Sequence, residues 1–335
     1  TVQLTSEPLE VGNDYQHAHD TFRASYDHGL MDGFPPGNKG GSPYVFVPAS
    51  ETAPLRTFAQ QYVIADRMFQ SNQGPSYPAH QFIVAGTSRP SAGSDLLASE
   101  DPSDRTHSEP QGGCDSPPDM LVSLIDPGGS ENHEAYPCFD HPTLMDLLDS
   151  ANVTWKYYEP EIGGFWDGPT SIEHIYDNPI DDARIVTPET TIFTDISSGD
   201  LSGVSWVIPN GLNSDHPGVH TNTGPSWVAS IINAIGTSQY WNTTAIFVTW
   251  DDWGGLYDHV PPPLRGPYEL GFRVPLVVVS PYAKTGYVSH QQHEFGSILH
   301  FVENAWGLPS LGYTDARADN LSDCFDFTQS PRPFA

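Results

Sequence analysis

The chain has 335 residues, with 42 Asp and Glu against 13 Lys and Arg, for a formal net charge of −29 with histidine neutral. Such a polyanion gains no counterion release on a phosphate backbone and is repelled by an anionic membrane surface, which excludes a nucleic-acid-binding module. An aromatic content of 12% is too high for an acidic disordered chain. No apolar run reaches the roughly 18 residues of a membrane span, and the length fits one large domain or two.

In chain order, the sequence opens at Thr1 without a basic-then-apolar leader, which reads as a processed or trimmed chain. Gln16-His17-Ala18-His19-Asp20 supplies two early histidines. A short apolar run at 62–65 reads as a buried strand, as do the runs at 204–209, 245–249 and 274–280. Helical stripes occupy 143–150, with Leu144, Leu147 and Leu148 on one face, and also 227–235 and 294–306. Strands alternating with helices, and apolar throughout, predict an α/β fold: a mostly parallel sheet covered by helices on both faces. Chemistry then belongs at the carboxyl ends of the strands.

Two stretches, 88–137 and 159–200, are rich in Pro, Gly, Ser and Asp and carry little periodicity. They read as loop-rich insertions on a single domain spanning 1–335. Cys114 and Cys138 flank a segment that composition leaves floppy unless stapled, so they are paired here, with Cys324 left odd. Three reduced thiols in a cytosolic protein is the alternative. High acidity and a clamped loop favour a secreted or periplasmic protein.

Three constellations can carry chemistry. Asp251 and Asp252, in Trp250-Asp251-Asp252-Trp253-Gly254-Gly255, follow directly on the strand 245–249. Adjacent carboxylates repel unless a cation or strong donors neutralise them, so a divalent metal is the simplest explanation, against an acidic turn as the structural one. Gly74-Pro75-Ser76-Tyr77-Pro78-Ala79-His80 reads as a helix start, where free N–H groups favour an anion and Ser76 is placed to attack or hold a phosphate. His80 follows one turn later on the same face; Ser76 as a mere N-cap is the alternative. His216, in Ser214-Asp215-His216-Pro217 just after the strand 204–209, is placed to protonate a leaving group. Arg273, His290 and His293 are further candidates with no pattern to single them out.

These stretches together resemble the bacterial phosphoesterase family of acid phosphatases and phosphatidylcholine-hydrolysing phospholipases C. The matching segments are His17 with Gly29-Leu30-Met31-Asp32-Gly33-Phe34, the Ser76 heptapeptide, Cys138-Phe139-Asp140 with Thr143-Leu144, the His216 tetrapeptide, 250–260, and Arg273-Val274-Pro275 through Ser280-Pro281. The resemblance implies an alkaline-phosphatase-like fold. It also implies Ser76 as nucleophile and metal ligand, Asp251 and Asp252 as metal ligands, and His216 as the acid for the leaving group. His17 matches a phosphate-contacting histidine, with His19 as its substitute if the register slips. One departure stands out: the family opens with a strand and a Glu-Asn-Arg-Ser-Phe-Asp motif whose Glu and Asn bind metal, and nothing before His17 supplies it. Glu131-Asn132 follows no strand and is not taken as its replacement. Removal of an N-terminal segment, which can stay associated as a separate piece, is favoured, because losing a central strand would expose a sheet edge.

The resulting expectation is an exported hydrolase of small phosphate esters with a serine nucleophile and one divalent ion, Ca²⁺, Mg²⁺ or Zn²⁺. The rivals are a phospholipase C acting on phospholipid head groups, a non-catalytic relative that holds phosphate or metal, and a metal-free serine esterase.

Overall fold

The computed structural model describes residues 2–103, 112–164 and 166–335. A short parallel pair, β1 (Thr5–Ser6) and β2 (Val45–Phe46), brackets helix α1 (His19–Tyr26). Helix α2 (Ala53–Gln61) then leads into β3 (Val63–Ala65), and α3 (Ser76–Ala85) follows. The expected strands appear within a residue or two of their predicted bounds: β3, then β9 (Val204–Val207), β10 (Ile246–Thr249) and β11 (Leu276–Val279). So do the expected helices α4 (Leu144–Ser150) and α9 (Phe295–Trp306), while α8 (Gly224–Gly236) starts three residues before its predicted start at 227. α4 starts where Thr143 and Asp146 form a reciprocal capping box.

The strands fall into separate sheets rather than one. One has the order β10-β11-β3-β12, with β12 at Tyr287–Ser289; another has the order β8-β7-β9, with β7 at Trp155–Tyr158 and β8 at Ile185–Val186. β7 pairs in parallel with both β8 and β9, and β3 with β12, whereas β11 runs antiparallel to β10 and β3. The cause is local. Thr249 pairs with Leu276, so the segment 250–275 leaves β10 and enters β11 at the same end of the sheet.

Helices cover both faces. Ile246 clusters with Ile231 and Ile235 of α8, while its neighbour Phe247 meets Phe301 of α9 with ring centroids 5.0 Å apart. Successive strand residues point to opposite faces, so α8 and α9 lie on opposite sides of β10. All four residues of β11 are buried between the layers, each aliphatic side chain contributing about 1.5–3 kcal/mol relative to exposure.

The two stretches taken as insertions carry more regular structure than their composition indicates. The first holds an antiparallel sheet of β4 (Leu97–Ala98), β5 (Val122–Ile125) and β6 (His133–Ala135), with residues 104–111 outside the described set. Its apolar residues Val122 and Leu124 join the cluster around α4, so it borrows a core rather than building one. The second contains α5 (Glu173–Tyr176), α6 (Pro179–Asp182), β8 and α7 (Thr191–Ser198). Strands of two to four residues are too short to show a period in sequence. Cys114 and Cys138 are disulfide-bonded, and Cys324 is free and buried.

Candidate active site

The carboxyl ends of β9 and β10 open onto one cluster. Ser76 is the first residue of α3, preceded by Pro75 in extended conformation. Its hydroxyl caps nothing; it donates to Asp252 Oδ2 at 3.3 Å. Capping falls to Asp101, whose Oδ1 accepts the Tyr77 N–H at 2.8 Å. Ser76 is therefore held across the site from the helix it begins, at a helix N-terminus whose dipole favours anions.

Asp251 and Asp252 follow β10 as expected. Asp251 Oδ2 lies 3.5 Å from His80 Nε2, and Asp252 Oδ2 lies 3.9 Å from His17 Nε2. The other oxygen of Asp252 accepts the Gly254 N–H at 2.6 Å, so the acidic-turn alternative is realised for that oxygen while Oδ2 faces the cluster. Gly255 explains the glycine pair. At φ +75° it presses against the segment bearing His17, and a Cβ there would lie 2.5 Å from Tyr15 Cβ and 2.6 Å from the Gln16 carbonyl oxygen.

The two site histidines are oriented alike. His17 Nδ1 donates to the Tyr15 carbonyl at 2.7 Å, and His216 Nδ1 to the Pro217 carbonyl at 2.7 Å. A carbonyl only accepts, so each Nδ1 carries a hydrogen, and each Nε2 is turned toward the site. The rings stand edge to face at 5.2 Å. Trp166 and Trp253 border them, 6.3 Å from His216 and 6.2 Å from His17.

Electrostatics mark the cluster as short of positive charge. Burial pushes Asp251 up, but hydrogen bonds from His80 and Ser76 and the nearby His216 outweigh it and hold this carboxyl well below its usual range. Burial, with the charge of Asp251, raises Asp252 against the opposing pull of His17. Burial raises Asp101 to about 6. For His17 burial works downward, yet Asp252, the Tyr15 carbonyl, Asp101 and Asp251 together lift it to about 9. The carboxylates thus hold an imidazolium beside them.

That field, with oxygen donors on Asp251, Asp252 and Ser76, fits a divalent cation. A second donor set overlaps it: ligand atoms of Asp14, His17 and His216 lie within 4.8 Å of one another. Asp14 and Asp101 escaped sequence reasoning. Asp14 stands three residues before His17 with no flanking pattern, and Asp101 sits in a Ser- and Pro-rich stretch read as insertion.

Other candidates lie elsewhere. His19 is buried and paired through Nδ1 with Glu131 at 2.6 Å, away from Ser76, so His17 is the histidine of the cluster. Arg273 forms a two-pronged pair with Asp258 at 2.7 and 2.6 Å. His290 pairs with Asp66, and His293 is buried between Asp319 and Ser289.

The sequence profile of the Phosphoesterase family matches residues 2–309 of this chain. The chain belongs to that family. Among its relatives, phospholipase C B of Mycobacterium tuberculosis is 27% identical over 263 residues, 64% of this chain and 50% of the relative. A non-hemolytic phospholipase C of Burkholderia pseudomallei is 30% identical over 218 residues, 48% of this chain and 31% of the relative. The chain thus matches half the length of these curated relatives or less. Of solved structures, a protein in the alkaline phosphatase superfamily from Vibrio parahaemolyticus superposes with a TM-score of 0.43 at 12% identity, covering 92% of this chain and 71% of that one.

Proposed function

We propose that this phosphoesterase hydrolyses small phosphate esters, with Ser76 as nucleophile and His216 as the acid for the leaving group. The observation that carries the reading is the Ser76 hydroxyl, exempt from capping and aimed at Asp252 3.3 Å away at a helix N-terminus. Ser76 Oγ attacks phosphorus in line and passes its proton to Asp252 Oδ2, which already accepts its hydrogen bond; a Ser–O–P bond forms as the bond to the leaving oxygen breaks. His216, fixed through Nδ1 on Pro217, protonates that oxygen from Nε2. Water then cleaves the phosphoserine and regenerates the hydroxyl. His17, cationic near neutral pH, contacts the phosphate oxygens.

Asp251, Asp252 and Ser76 would hold a divalent ion, Ca²⁺, Mg²⁺ or Zn²⁺. Bound there, it would neutralise phosphate charge and make the serine hydroxyl more acidic. The disulfide and the acidic balance support a secreted or periplasmic setting. No helix among the described residues is long and apolar enough to cross a membrane.

A second reading, phosphodiester cleavage in the manner of a phospholipase C, is favoured by the names of both relatives. Two assays separate them. Turnover of p-nitrophenyl phosphate without phosphocholine release from phosphatidylcholine supports the first, and the reverse supports the second. Ser76→Ala should abolish either activity while the protein stays folded by circular dichroism; wild-type turnover in that variant would end the covalent mechanism.

A further inference from the structure

With Cys114 and Cys138 bonded to each other, Cys324 is the cysteine left free, and it is fully buried. The 3-10 helix Ser322–Cys324 brings it, together with Asp323, to the side chain of His293, which lies between β12 and α9. Asp323 Oδ1 is 3.8 Å from His293 Nε2 and 3.7 Å from Cys324 Sγ, and one donor atom from each of the three residues lies within 4.8 Å of the others. Bonds of about 2.0 Å from a metal to nitrogen and oxygen and about 2.3 Å to sulfur, spread tetrahedrally, put donors roughly 3.5 Å apart. The two distances at Asp323 come close to that spacing.

The surroundings agree in three ways. His293 Nδ1 is 2.8 Å from Asp319 Oδ1, which also accepts the Ser297 hydroxyl at 2.7 Å, so the ring is turned with Nε2 toward Asp323 and Cys324. A hydrogen-bonded carboxylate behind the imidazole is how metal-binding histidines are usually held. The backbone is fixed on both sides: the His293 N–H donates to the Arg67 carbonyl and the His293 carbonyl accepts the Phe69 N–H, both at 2.9 Å, while the Cys324 carbonyl accepts the Lys284 N–H at 2.9 Å. The charge is also unbalanced. Among the described residues Asp319 and Asp323 pair with no lysine or arginine and share the one imidazole of His293, while the Lys284 ammonium lies over the Tyr287 ring. Ser289, His293 and Asp319 also line up as hydroxyl, imidazole and carboxylate, but Ser289 is fully buried, out of a substrate's reach.

We propose that His293, Asp323 and Cys324 bind one Zn²⁺, which ties the segment after α9 to the end of β12. Sulfur and nitrogen donors beside a single carboxylate suit this ion better than Ca²⁺ or Mg²⁺. The thiol donates to Asp323 Oδ1; on binding, its S–H bond breaks, a Zn–S bond forms and the proton leaves to solvent. Ser289 gives up its 2.7 Å contact with His293 Nε2 and keeps the 2.5 Å one with Asp323 Oδ2, and a water fills the fourth position. No donor belongs to the Ser76 cluster, so the site does not depend on the reaction proposed above.

Co²⁺ tests this, because a thiolate ligand gives an intense near-ultraviolet charge-transfer band that oxygen and nitrogen ligands do not. Stoichiometric Co²⁺ is added to the whole chain without reductant, once to the native protein and once during refolding. The band should appear, and Zn²⁺ should bleach it. Cys324→Ala should lose the band, and Asp251→Asn should keep it. His293→Gln and Asp323→Asn should each weaken Co²⁺ binding at this band by at least ~10-fold. Asp323 is partly open to water, so its variant decides the matter if the buried His293 variant misfolds. The proposal is overturned by no band under either condition, by a band that survives Cys324→Ala or resists Zn²⁺, or by unchanged affinity in Asp323→Asn, which would leave these residues a hydrogen-bond network alone.

Discussion

Ser76 and His216 sit within one cluster yet are asked for different things. A nucleophile is needed for every substrate, whereas a general acid matters most when the leaving group is poor. His216→Ala should therefore slow alkyl phosphates by a larger factor than p-nitrophenyl phosphate, whose phenolate departs without a proton. Equal losses on both would reassign His216 to holding phosphate. Asp251 is held ionised by His80, Ser76 and His216 despite its burial, so on the reading proposed above it is the carboxylate of the pair that should matter more for a cation. Asp251→Asn should cut bound divalent metal sharply, read by elemental analysis, while wild-type metal content in both the Asp251→Asn and Asp252→Asn variants would leave the acidic-turn alternative standing. The serine, the acidic pair and His216 were legible in sequence because each follows a recognisable strand or opens a recognisable helix. Asp101 and Asp14 were not, since only folding brings Asp101 to the α3 N-terminus and Asp14 to the histidines.

Between elements, α4 and α5 are tied by a histidine bridge. His174 on α5 places Nδ1 2.6 Å from Asp140 and Nε2 2.9 Å from Asp146, the residue that also caps α4. The hydrogen bond to Asp146, then that to Asp140, raises His174 to about 9 against the effect of burial. Its folded value lies above the unfolded value of about 6.5, so its stabilisation is complete below pH 6.5 and is lost as pH rises through 9. His174→Gln should lower Tm at pH 6 and progressively less toward pH 10. The bridge is partly open to water, so the shift should be small. A Tm difference that does not change with pH would show the bridge to be packing alone. In the sequence α4 announced itself through its leucine stripe and cap, but α5 has only four residues, too few for a stripe.

At the scale of the molecule, the Cys114–Cys138 bond closes a span of 24 residues containing β5 and β6. In the chain-entropy model such a loop stabilises by about 3 kcal/mol, chiefly by restricting the unfolded chain. The double variant Cys114→Ala with Cys138→Ala should lower the denaturant midpoint accordingly in non-reducing buffer; an unchanged midpoint would mean the three-stranded sheet holds the segment unaided. That sheet buries its apolar residues in the α4 core rather than in one of its own, so loosening it should reach Asp101 and the α3 N-terminus.

What the sequence determined alone was whatever rests on local pattern: apolar runs long enough to be strands, stripes and caps that make helices, and the placing of Ser76, His216 and the Asp251-Asp252 pair beside them. The unstructured composition between Cys114 and Cys138 was also enough to pair them. Tertiary structure decided the rest. Strand direction belongs to the path of the connection, so only folding shows that 250–275 returns to the end of the sheet it left and turns β11 antiparallel. Short strands such as β4 and β8 arise because a neighbouring edge offers hydrogen bonds to a chain with little preference of its own. And His17 was chosen over His19 by the close approach that Gly255 permits, a contact between residues more than two hundred positions apart that no local signal encodes.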